Sequence, residues 1–162
     1  MNGSTLEALA LHYVGRFATT EARLKAYLGR KIAGRGWEDD TPPPIDAIAA
    51  RFVGAGYIND AEFAKARERS LARRGYGYRR LAQSLNAAGV DRTITEALVP
   101  DRDAARDAAE TFARRRRLGP FSDIALTPAD RRRHFAAMVR AGHDFEFAKL
   151  FSAPGDEDTL DE

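Results

Sequence analysis

The stretch from Gly56 to Leu98 most constrains the fold, because glycines and capping residues divide it into three short segments. Asn59 or Asp60 can cap a first helix, which the Gly75-Tyr76-Gly77 sequence ends. A second helix ends at Gly89. Within each segment apolar side chains recur three and four residues apart, as they do on the buried face of an amphipathic helix. The stretch therefore predicts a compact module of three helices.

Helical periodicity continues on both sides of this module. Further amphipathic helices are predicted over residues 5–16, after a cap at Thr19 or Thr20, from Ile45, after Pro100 and Asp101, from Ala129, and after Asp144. The segment 33–44 is predicted to be a loop, because three consecutive prolines cannot continue a helix. We expect Val53 and Tyr57 to be buried. No stretch alternates apolar and polar residues over the length of a strand, so the predicted fold class is all-α, with about nine helices.

Part of the module recurs later in the chain. Residues 89–98 (GVDRTITEAL) align without gaps on residues 142–151 (GHDFEFAKLF), and each begins with glycine, one further residue and an aspartate cap. The alignment predicts three inward-facing pairs, namely Ile94 with Phe147, Ala97 with Leu150, and Leu98 with Phe151. We therefore predict three tandem three-helix repeats at 5–58, 59–99 and 100–151, the first enlarged by the Pro-rich loop 33–44. Residues 152–162 are predicted to form an acidic, disordered tail.

The net charge of +2 conceals an uneven distribution of charge. Five carboxylates and no basic residue lie in the last eleven residues, so the remaining chain carries +7. Most of its cations are arginines, whose planar guanidinium can bind two oxygens of a phosphate or carboxylate at once. This balance favours an anionic partner, such as nucleic acid or an acidic protein surface.

The densest group of cations surrounds the glycine turn of the module. Arg73 and Arg74 precede the turn, Arg79 and Arg80 follow it, and Tyr76 and Tyr78 lie within it. Such a group can contact phosphates while its tyrosines stack on bases, or it can enter an acidic protein groove. The alternative is a solvated helix end whose cations offset the helix dipole. We refer to residues 73–80 as the arginine elbow and favour a binding role for it.

A second basic group lies further along the chain. Its members are Arg114, Arg115, Arg116, Arg117, Arg131, Arg132 and Arg133. Consecutive arginines point in different directions around a helix, so they cannot all reach one ligand. We expect some of them to pair with Asp107, Glu110 or Asp130 and others to contact phosphate.

The composition argues against several other classes of protein. There is no cysteine for a disulfide or a thiolate metal site, and no apolar run of the roughly 20 residues that cross a membrane. The first residues lack the basic region of a signal peptide. The three histidines lack metal-ligand spacing, and the glycine turn lacks the third glycine of a dinucleotide fingerprint. We therefore expect a cytoplasmic protein that is not an enzyme and needs no metal or cofactor.

The central residues resemble the RecX regulatory proteins, a family of bacterial modulators of the RecA recombinase. Residues 56–64 (GYINDAEFA) look like the family's G-[YL]-[LI]-[DN]-D-x-x-[FY]-A signature. Residues 73–77 (RRGYG), together with Leu81, Leu85 and residues 88–90 (AGV), are similar to its R-x-x-G-x-G-P-x-x-[IL]-x-x-x-L-x-x-x-G-[VI] signature. Tyr78 departs from this pattern, because it stands where the family commonly has proline.

The resemblance implies an elongated, curved array of helical repeats that lies in the groove of the RecA–DNA filament. It implies contacts with neighbouring RecA protomers and with single- and double-stranded DNA, weak and without sequence preference. It also implies that the protein regulates, and we expect inhibits, ATP hydrolysis, strand exchange and filament growth during recombination and DNA repair. We expect the protein itself to be a monomer.

Two other interpretations stay open at this point. The modules could be helix-turn-helix-like units of a direct DNA-binding regulator, which would prefer one duplex site. They could instead form a protein-interaction solenoid that has no affinity for nucleic acid even at low salt.

Overall fold

The structure, a computed structural model, describes residues 1–155, and these residues form nine α-helices and no β-strand. The helices are α1 (Gly3–Arg16), α2 (Glu21–Arg35), α3 (Ile45–Gly54), α4 (Asp60–Arg73), α5 (Tyr78–Ala87), α6 (Arg92–Glu96), α7 (Arg102–Arg116), α8 (Pro128–Arg140) and α9 (Phe145–Leu150). The predicted all-α class is confirmed for this part of the chain. None of these helices is both long and apolar enough to cross a lipid bilayer.

Polar caps begin several helices at the positions that the sequence predicts. The Thr20 side chain accepts a hydrogen bond from the Arg23 N–H (3.2 Å), and Asn59 Oδ1 accepts one from the Glu62 N–H (3.0 Å). Thr127 and Asp130 form a reciprocal capping box at the start of α8. Each such cap stabilises its helix by about 1 kcal/mol.

The end of α2 differs from the prediction. The helix continues to Arg35, three residues into the segment 33–44 that was expected to be a loop. Alanine and arginine are good helix formers, so Ala33 and Arg35 can extend α2. Gly36 ends it, with a φ of 77° that most other residues avoid.

The first compact unit comprises Met1–Ala66 and Leu85–Ala97. Helices α1, α2 and α3 pack around a core in which Leu6, Leu24 and Leu28 are fully buried. Burial of one such side chain contributes about 1.5–3 kcal/mol relative to exposure, so these three residues together contribute several kcal/mol to the stability of the unit.

Two residues at the end of α3 are wrongly predicted to be buried. Val53 is 42% exposed and Tyr57 is 58% exposed. The chain turns at Gly56, where φ is 80°, and this turn places Ile58 in the core instead of Tyr57. The Tyr57 ring packs edge-on against Phe52 at the surface (5.5 Å between centroids).

The second compact unit comprises Arg67–Ser84 and the described residues from Leu98 onward. Helices α7, α8 and α9 surround a core of Phe112, Met138, Phe147 and Phe151. Ser152, at the start of the predicted tail, is buried, and its hydroxyl donates to the Lys149 carbonyl (3.2 Å). Residues 156–162, which carry the acidic part of that tail, lie outside the described residues. The boundaries of the two units differ from those of the three predicted repeats, which stay a prediction.

The two short helices α6 and α9 bury a face that differs from the predicted one. Ala97 and Leu150, which the alignment pairs, are both exposed, whereas the neighbouring pair Thr95 and Ala148 is buried. In so short a helix, residues at i, i+1 and i+4 share the face that packs inward, because each residue advances the helix by about 100°. The repeat alignment therefore matched equivalent positions but assigned one of them to the wrong face.

Each unit contains a similar joint between a glycine corner and the start of a helix. In the first unit, the Thr20 hydroxyl at the start of α2 donates to the carbonyl of Ala88, the residue before Gly89. In the second unit, the Gly77 N–H at the start of α5 donates to the carbonyl of Ala141, the residue before Gly142 (2.8 Å). Gly89 and Gly142, which the alignment also pairs, both have positive φ. The second joint fixes the arginine elbow.

Candidate functional site

The backbone of the arginine elbow is held by the corner between α8 and α9. The Gly77 N–H donates to the Ala141 carbonyl, and the Arg79 N–H donates to the Gly142 carbonyl (3.2 Å). The two glycines approach so closely that a Cβ atom on Gly77 would lie 2.3 Å from the Gly142 carbonyl oxygen. Glycine is therefore required at position 77 by a backbone contact that spans 65 residues of sequence.

A buried histidine fixes the other side of the turn. His143 is 3% exposed, and its Nε2 lies 2.8 Å from the Gly75 carbonyl oxygen. A carbonyl can only accept, so Nε2 carries the proton. Burial lowers the pKa of His143, although the bond to Gly75 opposes this effect. The ring is therefore neutral at pH 7 and donates one hydrogen bond to the elbow.

Tyr76 organises the cations of the elbow. The guanidinium carbon of Arg80 lies 4.5 Å from the Tyr76 ring centroid, and that of Arg74 lies 5.2 Å from it. The ring in turn packs against Phe112 in the core of the second unit (6.0 Å between centroids). Cation–π contacts of this kind contribute about 0.5–1 kcal/mol at exposed sites. They limit the motion of two long side chains without neutralising their charge.

The other residues of the elbow have different surroundings. Arg73 is exposed, and its side chain has no partner among residues 1–155. Arg79 lies 3.5 Å from Asp144 and 5.1 Å from the centre of the exposed Phe145 ring. Tyr78 is half-buried at the start of α5. No carboxylate of the described residues pairs with Arg73, Arg74 or Arg80, so three of the four predicted cations keep their charge available.

Part of the second basic group joins the elbow. Arg115 Nη1 donates to the Arg73 carbonyl (2.7 Å), which places the end of α7 beside the end of α4. The Arg116 guanidinium lies over Phe112 (5.4 Å), the same ring that Tyr76 contacts. Arg115 and Arg116 therefore extend the cationic surface of the elbow.

Arg114 and Arg117 point to other partners. Arg114 pairs with Glu110 (2.8 Å) and covers the Phe121 ring (4.3 Å). Arg117 has a left-handed backbone (φ 53°) and pairs with Asp123 (2.8 Å). Both charges are partly neutralised by these pairs.

The three consecutive arginines near the start of α8 make no contact with the elbow among the described residues. Arg133 pairs with Asp130, and Arg131 and Arg132 are exposed. The predicted pairing of some arginines with Glu110 and Asp130 is therefore confirmed. The site that the structure assembles consists of Arg73, Arg74, Tyr76, Arg79, Arg80, Arg115 and Arg116.

Sequence reasoning missed the residues that contact and support this site but are far from it in the sequence. Three groups outside the elbow contact it: the His143 ring, the Phe112 ring, and the Arg140 carbonyl, which accepts from Arg80 Nη1 (3.4 Å). The repeat alignment contained one usable signal, because it places the polar His143 opposite the buried apolar Val90. A polar residue at a core position of a repeat needs a hydrogen-bond partner, which here is Gly75. Among the described residues, no group of three or more His, Cys, Asp or Glu side chains could hold a metal ion.

These features define a class of protein: an all-helical chain with repeated glycine corners, one of which presents a preorganised cationic surface. Comparison with known proteins identifies the family. A family model described as "RecX, second three-helix domain" matches residues 59–98. The regulatory protein RecX of Myxococcus xanthus is 33% identical over 153 residues, which cover 89% of this chain and 82% of that protein. RecX of Agrobacterium fabrum is 32% identical over 157 residues, covering 94% and 84% respectively.

The chain therefore belongs to the RecX family of regulatory proteins. The crystal structure of RecX from Lactobacillus salivarius supports the fold, with a TM-score of 0.65 over 91% of this chain and 92% of that one. Sequence identity to that structure is 19%. The relatives are named as regulatory proteins, in agreement with a regulatory rather than a catalytic role.

Proposed function

We propose that this protein binds RecA and the RecA–DNA filament through the arginine elbow and inhibits ATP hydrolysis, strand exchange and filament growth. The observation that carries the proposal is the elbow itself, whose cations surround a rigid turn while Arg73, Arg74 and Arg80 lack carboxylate partners among residues 1–155. Membership of the RecX family supports the regulatory part of the proposal.

The fixed geometry of the elbow favours binding to a surface with a high density of negative charge. Association costs free energy for each long side chain that must be immobilised. Tyr76 already restrains Arg74 and Arg80, and Arg115 restrains the backbone at Arg73. These groups therefore lose less conformational entropy on binding than freely moving side chains would. Guanidinium groups held this way can meet phosphates of filament DNA or carboxylates of RecA.

The proposed regulation acts through the partner. The sequence contains no Walker loop that could bind ATP in this chain, so an effect on ATP hydrolysis has to be exerted on RecA. The experiment is a RecA ATPase assay on single-stranded DNA with increasing amounts of the purified protein. We expect the rate to fall; an unchanged rate at a large molar excess over RecA would refute the proposal.

The role of the elbow is tested by the double variant Arg73→Ala with Arg74→Ala. If one charged hydrogen bond of about 1.5 kcal/mol is lost, half-inhibition requires about 10-fold more protein. The matched control is Arg35→Ala with Arg92→Ala, which removes the same charge from two exposed arginines of the first unit. Equal inhibition by the elbow variant and the wild type, with helicity preserved, would reject this assignment.

The alternative of a direct DNA-binding regulator makes a different prediction. Such a protein prefers one duplex sequence, whereas a filament modulator binds DNA weakly, without sequence preference and with a steep dependence on salt. The third helix of the second predicted repeat, α6, has only five residues, which is short for a helix that reads the major groove. Binding to random-sequence duplexes at several salt concentrations separates the two functions.

A further inference from the structure

The first unit carries an aromatic strip that the arginine elbow does not include. The Tyr13 ring stacks on the Tyr27 ring, with centroids 4.2 Å apart and an angle of 12° between the planes. Phe17 continues the strip beyond Tyr13, at 5.4 Å. We call these three residues the aromatic strip; it runs from the end of α1 onto α2.

A cation lies at each end of the aromatic strip. The Arg16 guanidinium lies over Phe17 (5.9 Å), and the Lys31 ammonium lies over Tyr27 (5.3 Å). Neither cation forms an ion pair with another described residue. The strip therefore combines aromatic surface with two charges that are open to an anionic ligand.

Phe17 is the residue that packing does not explain. Tyr13 and Tyr27 pack against the core of the first unit, but Phe17 does not, and it remains 52% exposed. A single exposed phenylalanine is common in proteins and indicates nothing alone. Here, however, the exposed ring adjoins a stacked pair, at an angle of 48° to Tyr13, and the strip carries a cation at each end. Aromatic rings next to cations are the combination that binds single-stranded nucleic acid.

We infer that the aromatic strip binds single-stranded nucleic acid, with an unpaired base stacked on Phe17 and adjacent phosphates near Arg16 and Lys31. Every base has a π-face, so binding of this kind tolerates any sequence. A duplex buries those faces within its own stack and cannot use the strip. An anionic peptide could reach the same cations but would gain nothing from the flat face of Phe17.

The inference rests on the proposed function only in that both involve nucleic acid. The strip belongs to the first unit and the elbow to the second, so separate variants test them. The direct assay contains no RecA, and it therefore gives a result whether or not the protein regulates RecA.

The test measures binding of fluorescein-labelled oligothymidylate, an abasic oligonucleotide of the same length, and a duplex. The abasic strand keeps the phosphates but offers no base, so the wild type should bind oligothymidylate more tightly. Phe17→Ala should weaken that binding by roughly 5-fold or more and leave abasic and duplex binding unchanged. Phe17→Tyr, which keeps a flat ring, should retain it.

The matched control is Leu11→Ala, which removes an apolar side chain that is 53% exposed on the same helix. It should bind all three probes like the wild type. Lys31→Ala should reduce the salt slope for oligothymidylate by about 0.7. The inference is overturned if the wild type binds the abasic strand as tightly as oligothymidylate, or if Phe17→Ala binds oligothymidylate normally. Loss of the RecA effect with a normal oligothymidylate preference would count against the proposed function alone.

Discussion

Substitution of Gly77 by alanine tests whether the glycine joint positions the arginine elbow. The added Cβ would lie 2.3 Å from the Gly142 carbonyl oxygen, 2.5 Å from its carbon and 2.8 Å from the His143 nitrogen. All three neighbours are backbone atoms, so no side-chain rotation relieves the contact. The elbow has to move away from the corner between α8 and α9.

The expected cost follows from the contacts that this movement breaks. The Gly77 N–H bond to Ala141 and the Arg79 N–H bond to Gly142 are lost or weakened, at about 0.5–1.5 kcal/mol each. Imperfect repacking around the buried joint adds about 1 kcal/mol. We therefore expect Gly77→Ala to lower the free energy of unfolding by about 2–4 kcal/mol.

The assay is urea unfolding followed by circular dichroism, together with amide hydrogen exchange at positions 77 and 79. Both amides should exchange much faster in the variant. The matched control is Gly29→Ala within α2, where the added Cβ meets nothing within 4 Å and φ is not positive. That change should raise stability by about 0.5–1 kcal/mol. If Gly77→Ala unfolds within about 0.5 kcal/mol of the wild type and its amides stay protected, the reasoning about the joint is wrong.

Two further predictions concern buried polar groups. Thr20→Val removes both the cap of α2 and the hydrogen-bond donor to Ala88, so it should lower the free energy of unfolding in urea by about 1–3 kcal/mol. Thr19→Val should be neutral or stabilising, because the Thr19 hydroxyl has no partner among the described residues. Equal effects of the two substitutions would contradict this prediction. The lowered pKa of His143 means that the unfolded state takes up its proton first, so its contribution to stability is present above about pH 6.5 and is lost below it. Wild type should therefore lose more stability than His143→Gln between pH 7 and pH 5, and parallel pH profiles would exclude that role.

Local features of the sequence were sufficient to predict most of the helices. Caps such as Thr20 and Asn59 and stops such as Gly89 act within a few residues, so they can be recognised without knowledge of the fold. The arginine elbow could be located for the same reason. The prediction for Tyr57 failed where a positive-φ glycine, Gly56, placed Ile58 in the core instead.

The support of the elbow could not be predicted in this way, because it depends on contacts between distant residues. Gly75 and His143 are 68 residues apart, and Arg73 and Arg115 are 42 apart. Nothing in the local sequence around Gly77 indicates that another glycine passes within van der Waals distance. The arginine runs also looked uniform in sequence, although Arg115 reaches the elbow and Arg117 turns away to Asp123.

The central claim is that the arginine elbow contacts the RecA–DNA filament. The most direct measurement is an electron cryo-microscopy map of RecA filaments on single-stranded DNA with this protein bound. We expect density in which Arg73, Arg74 and Arg80 face RecA or DNA. A map in which the protein is bound but the elbow faces solvent would contradict it.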